Sequence, residues 1–153
     1  MSTVIKTIDV DVPVSIAFQE WTRFEVLPRF MHRVTEVKPL DARHLSWRAQ
    51  VFGVERVWEL EITEVAPDRR IAWCSCAGPR NHGAILLEPL ATDGTRVTME
   101  VHYDPTGFVE ELSDYLGVLS RWVERSLVRF KDLMEEPLFK RAGLPPVEEL
   151  VGQ

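Results

Sequence analysis

The sequence predicts an α+β domain in which an antiparallel sheet of about seven strands packs on one long C-terminal helix, with two short helices after the first strand. Three observations predict it. Six segments between residues 34 and 105 alternate apolar and polar residues with period two and are joined by short turns. One segment, 106–136, repeats apolar residues every three or four positions. Between them and the first strand, Pro13 and Pro28 bracket an aromatic-rich stretch and keep any helix there short.

The elements follow in order. Residues 2–10 alternate loosely around Val4, Ile8 and Val10 and read as a strand. Pro13 and Ser15 suit a helix start, and Ile16, Ala17, Trp21 and Phe24 follow at helical spacing, so short helices are expected near 14–22 and 25–30. The strand series then runs 34–40, 44–51, 54–65, 71–78, 84–90 and 95–105. Its turns are Gly53, APDRR at 66–70, the GPRNHG loop and ATDG. In 54–65, Trp58, Leu60 and Ile62 share one face against Glu55, Glu59 and Glu61. A sheet with one apolar face must bury it, and the amphipathic 106–136 segment is the partner at hand. About thirty residues of helix span ~45 Å. Glu110, Glu111 and Asp114 sit near its start, which suits the helix dipole, and Pro137 ends it. Residues 1–136 read as a single domain, with 137–153 as a C-terminal extension.

Composition excludes several function classes. The chain has 153 residues, 45% hydrophobic and 27% charged, which suits one globular domain with a sizeable core. A net charge of −6 argues against nonspecific nucleic-acid binding and against docking on anionic membranes. No apolar run reaches transmembrane length and no signal peptide is legible, so the expectation is a cytoplasmic protein with no integral membrane segment. Cys74 and Cys76 lie two apart on one strand, in poor geometry for pairing, and read as reduced thiols.

The stretches VDVPVSIAFQEWTRFEVLPRFM, HLSWRAQVFGVERVWELEITEVAPDRRIAW and RVTMEVHYDPTGFVEEL, with the helix after them, resemble the START-like superfamily. That group includes polyketide cyclase/dehydrase and lipid-transport proteins and coenzyme Q-binding proteins; the match is to bacterial stand-alone members. The resemblance implies a helix-grip fold: a curved antiparallel sheet wrapped round the long helix, a cavity between them, and the two short helices closing one end. Phe18, Trp21, Phe24 and Phe30 would form that cap.

Inward strand positions carry Trp47, Trp58, Trp73, Ser75, Met99, Val101 and Tyr103, and the helix adds Tyr115, Leu119 and Trp122. These ten residues are the expected ligand-binding set, since pockets are mostly apolar and aromatic with a few placed polar groups. Catalytic signals are thin. His32, His44, His82 and His102 are scattered without metal-ligand spacing, and no metal or cofactor is expected. His32, His44 and His102 read as surface residues, whereas His82, in GPRNHG, is placed near a cavity mouth. Arg56 shares parity with Trp58 and could reach inward, so Arg56, Ser75 and Tyr103 are the candidates for acid–base and oxyanion roles. Arg121, Arg125 and Arg129 read as a solvated helix face.

The expected function is noncatalytic binding or transport of a hydrophobic small molecule such as a lipid, a quinone or a polyketide-like ring. The alternatives are a polyketide cyclase, aromatase or dehydratase, and a protein-interaction module using the tail near Leu138 and Phe139, which would also serve a homodimer.

Overall fold

The structure is a computed structural model that describes residues 2–51, 53–77, 80–103 and 112–136, with side chains described from 117 onward in the last helix. The elements are β1 (Ser2–Val10), α1 (Val14–Thr22), a 3-10 helix (Phe24–Arg29), β2 (Val34–Pro39), β3 (His44–Val51), β4 (Val54–Ala66), β5 (Arg70–Ala77), β6 (Asn81–Pro89), β7 (Thr95–Tyr103) and α2 (Leu112–Met134).

The seven strands form one antiparallel sheet in the order β1-β7-β6-β5-β4-β3-β2. Strands β2 to β7 are a meander, as the short turns dictate, and β1 joins the free edge of β7, with Val4 opposite Val101 and Ile8 opposite Val97. Two register shifts in the β4–β5 pairing, at Glu59/Leu60 and Ile62/Glu64, bend the sheet where it must curl. Along β7 every second side chain from Thr95 to Tyr103 is buried, the period-two pattern visible in the sequence.

The curled sheet grips α2. Val123, Leu127, Phe130 and Met134 are all at most 2% exposed and form the rod's buried stripe. The last turn is tied to the end of β1: Lys131 Nζ donates to the Asp9 carbonyl at 2.9 Å, and the Asp11 N–H donates to Glu135 Oε2 at 2.9 Å.

The proline-bracketed stretch forms two short pieces. Pro13 accepts at its carbonyl from the N–H groups of Ile16 and Ala17, starting α1. Pro28 has no N–H to offer an α-helical ladder, and the chain there takes up a tighter 3-10 turn. This packs an aromatic triad against the helix end: ring centroids of Trp21, Phe30 and Phe130 lie 4.8 to 5.1 Å apart. Beside it, Glu20 is fully buried.

Candidate functional site

A cavity of about 420 Å³ lies between the sheet and α2. Its wall follows from strand alternation. Leu45, Trp47 and Ala49 come from β3, Trp58, Leu60 and Ile62 from β4, and Ile71 and Trp73 from β5. Ile85 on β6, Met99, Val101 and Tyr103 on β7, and Leu119 and Trp122 on α2 complete the deep part. The two short helices and the turn after them close one end with Trp21, Phe24, Leu27 and Met31. The exposed members, Arg33, Gly53, Val118, Arg121 and Arg125, mark the mouth.

Each tryptophan is held differently. Trp47 and Trp58 face each other across β3 and β4. Their indole nitrogens are closed off from solvent and have no hydrogen-bond partner among the described residues, so these rings give the cavity apolar surface and no exposed donor. Trp73 donates to Asn81 Oδ1 at 3.1 Å, and its ring lies over Gly83, its register partner, where a Cβ would approach Trp73 Cζ2 to 2.6 Å. Trp122 donates its indole N–H to the His32 carbonyl. One turn on, Ser126, fully buried, accepts the His32 N–H at 2.9 Å. The residue before Arg33 is therefore clamped to α2 through both its backbone N–H and its carbonyl.

Of the ten residues expected to contact ligand, Trp47, Trp58, Trp73, Met99, Val101, Tyr103, Leu119 and Trp122 line this cavity. Tyr115 falls outside the described side chains. Ser75 is not in the lining. The β5–β6 ladder ends at Cys74 and His82, and just beyond it the Ser75 hydroxyl accepts the Asn81 N–H at 3.0 Å. Arg56 shares the face of Ala49, its register partner, but the β3–β4 hairpin tip projects past the covered sheet, and Val54 through Val57 are all exposed. Arg56, Ser75 and Tyr103 are thus not brought together: Tyr103 is at the cavity, the other two are not.

Two of the histidines, His82 and His32, depart from the sequence reading. His82 lies within β6, not in a loop, and points away from the cavity, stacked on His102 with ring centroids 4.6 Å apart. His102 in turn meets Thr3 Oγ1 at 3.0 Å and Glu100 Oε1 at 3.3 Å. His44 contacts Asp41 at 2.8 Å, which raises the imidazole pKa, and the carboxyl is held below its usual value first by the Arg43 backbone N–H and then by His44. His32, expected at the surface, lines the cavity. Burial first, then the charges of Arg33, Arg125 and Arg129, hold its imidazole below the usual value. Among the described residues no group of three or more His, Cys, Asp or Glu side chains is arranged to hold a metal ion.

A curled seven-stranded antiparallel sheet gripping a C-terminal helix around an apolar cavity defines a START-like helix-grip protein. Residues 10–132 match the model of the polyketide cyclase/dehydrase and lipid-transport family, and the chain belongs to that family. An uncharacterised 17.2 kDa protein of Streptomyces lincolnensis is 35% identical over 137 residues, covering 89% of this chain and 91% of that protein. The fold is also similar to a START superfamily protein from Mycobacterium smegmatis, with a TM-score of 0.72 at 14% identity over 86% of this chain and 98% of that one. A di-domain aromatase/cyclase of the steffimycin biosynthetic pathway, StfQ, gives a TM-score of 0.66 at 18% identity over 84% of this chain and 43% of that one. At these identities the two structures speak to fold alone. Among the described residues no helix is long and apolar enough to cross a membrane.

Proposed function

We propose that this chain binds, and carries or presents, a hydrophobic small molecule in the space between its sheet and α2. The observation that carries the reading is the cavity of about 420 Å³ walled by five tryptophans of the sheet, cap and helix as well as by aliphatic side chains. That volume falls in the usual range for small-molecule sites, and the chemistry of the wall suits a ring system or an alkyl chain. Membership of a family of polyketide cyclases and lipid-transport proteins supports the same class of ligand.

The test is a fluorescence titration with N-phenyl-1-naphthylamine, a neutral apolar probe, on the wild type and on Leu119→Trp, which fills the cavity from α2. Saturable binding by the wild type, weakened about tenfold or more in the variant, supports the reading. Equal binding by both proteins would place the probe elsewhere and sink it. Mass spectrometry of the freshly purified protein, under native and then denaturing conditions, identifies any ligand carried through purification.

A cyclase or dehydratase reading requires an acid–base group beside the ligand. Of the three residues considered for that role, only Tyr103 is at the lining, so binding is the preferred reading.

A further inference from the structure

The charged groups around the cavity are of one sign. The protein has 24 acidic and 18 basic side chains. Yet among the described residues Arg33, Arg121 and Arg125 line the cavity and no carboxylate does. None of these three arginines pairs with a described carboxylate, whereas Arg23, Arg48, Arg70 and Arg96 each do.

The backbone assembles this cluster. Arg121 and Arg125 are one turn apart on α2 and therefore share a flank. Their neighbours Trp122 and Ser126 grip the carbonyl and the N–H of His32. Arg33 follows directly, so the clamp sets it at the same mouth. Its own carbonyl accepts from the Gln50 N–H at 3.0 Å, which fixes it to β3 as well. Arg33 has φ 62°, the left-handed region, where glycine or asparagine would sit at less cost. The chain places a long cation there instead. The His32 imidazole beside it is held below its usual pKa first by burial and then by the charges of Arg33, Arg125 and Arg129.

We propose that the ligand is an amphipathic organic anion, with its hydrophobic body among the tryptophans and a carboxylate or phosphate head held between Arg33 and the Arg121/Arg125 pair. This rests on the cavity reading above and names its ligand class. Guanidinium groups match the planar, multidentate geometry of either head group. The arginines are exposed, so the head stays partly hydrated while the body is desolvated, which avoids stranding a charge in the apolar interior.

The test uses two fluorophores with the same aromatic body: 1-anilinonaphthalene-8-sulfonate, an anion, and neutral N-phenyl-1-naphthylamine. Both are titrated into the wild type and into the triple variant Arg33→Gly/Arg121→Gln/Arg125→Gln. Glycine relieves the left-handed backbone, and glutamine keeps nearly the helix propensity of arginine, so the variant retains its fold. The expected result is that the variant loses about tenfold more affinity for the sulfonate than for the neutral amine. Added salt weakens the sulfonate complex of the wild type and not the amine complex. Displacement of the sulfonate by dodecanoate and by dodecyl phosphate, with dodecanol as neutral control, separates the two head groups. A variant that loses both probes equally, or neither, overturns the anionic head and leaves the cavity reading standing. A wild type that binds neither probe overturns both.

Discussion

Trp73 on β5 and Gly83 on β6 are register partners, and the indole ring occupies the space a side chain at 83 would need. This fit positions one of the main walls of the cavity. Gly83→Ala puts a methyl group 2.6 Å from Trp73 Cζ2 and hard against the Glu100 carbonyl, so either the ring or the β6–β7 ladder must shift. Overpacking of this kind costs about 1–3 kcal/mol. Urea denaturation of Gly83→Ala should show that loss, together with a shift in tryptophan emission. An unchanged midpoint and spectrum would mean the ring does not rest there.

The clamp on His32 predicts a second effect. Ser126→Ala removes the acceptor of a backbone N–H, and an orphaned buried donor costs about 1–3 kcal/mol. The His32 amide should then exchange with solvent faster than in the wild type, while amides at the centre of β7 keep their relative protection. Hydrogen exchange read residue by residue checks this.

The tryptophans should respond differently to loss of the indole nitrogen. Trp47→Phe deletes a buried donor that has no partner among the described residues, so its stability cost is confined to lost ring area and stays within about 1 kcal/mol. Trp73→Phe also leaves Asn81 Oδ1 without its indole donor, and about 1 kcal/mol more is expected. Parallel denaturation curves give the order directly; the reverse order would contradict the hydrogen bonding described.

Glu20 predicts a pH dependence. Burial raises its pKa, and the opposing charges of Arg23 and Arg29 do not cancel the effect. One oxygen meets Arg23 Nη1 at 3.4 Å, and the other has no hydrogen-bond partner among the described residues. The folded state therefore holds the proton more tightly than the unfolded chain does. The contribution of Glu20 to stability is full below the unfolded carboxylate pKa and is lost as pH rises through the raised folded value. Glu20→Gln should gain on the wild type between about pH 4 and pH 7. A constant difference across that range would rule out this titration.

Much of the fold was legible because its residues alternate cleanly. Segments such as 44–51 and 95–103 carry the period-two pattern of a half-buried strand, and α2 carries an unbroken apolar stripe. The failures have local causes. GPRNHG looks like a loop because Asn and Gly disfavour strands, but Gly83 is a packing choice: its missing side chain admits Trp73. That misreading moved His82 from the outer face to the mouth. Parity alone pointed Arg56 inward, and parity cannot show where a hairpin tip outruns its cover. The arginines at the mouth were missed for a related reason. On a helix they read as solvated, and only the His32 clamp, a contact between segments some ninety positions apart, brings Arg33 beside them.

The pairing of β1 with β7 has a kinetic consequence. Thr3 and His102 are 99 positions apart, and the first strand cannot dock until the last has been made. On the ribosome, β1 and its two short helices must wait as unpaired chain while the meander emerges strand by strand. Closing such a long loop is entropically costly and slows folding, so the sheet's first-made strand is among the last to be locked in place.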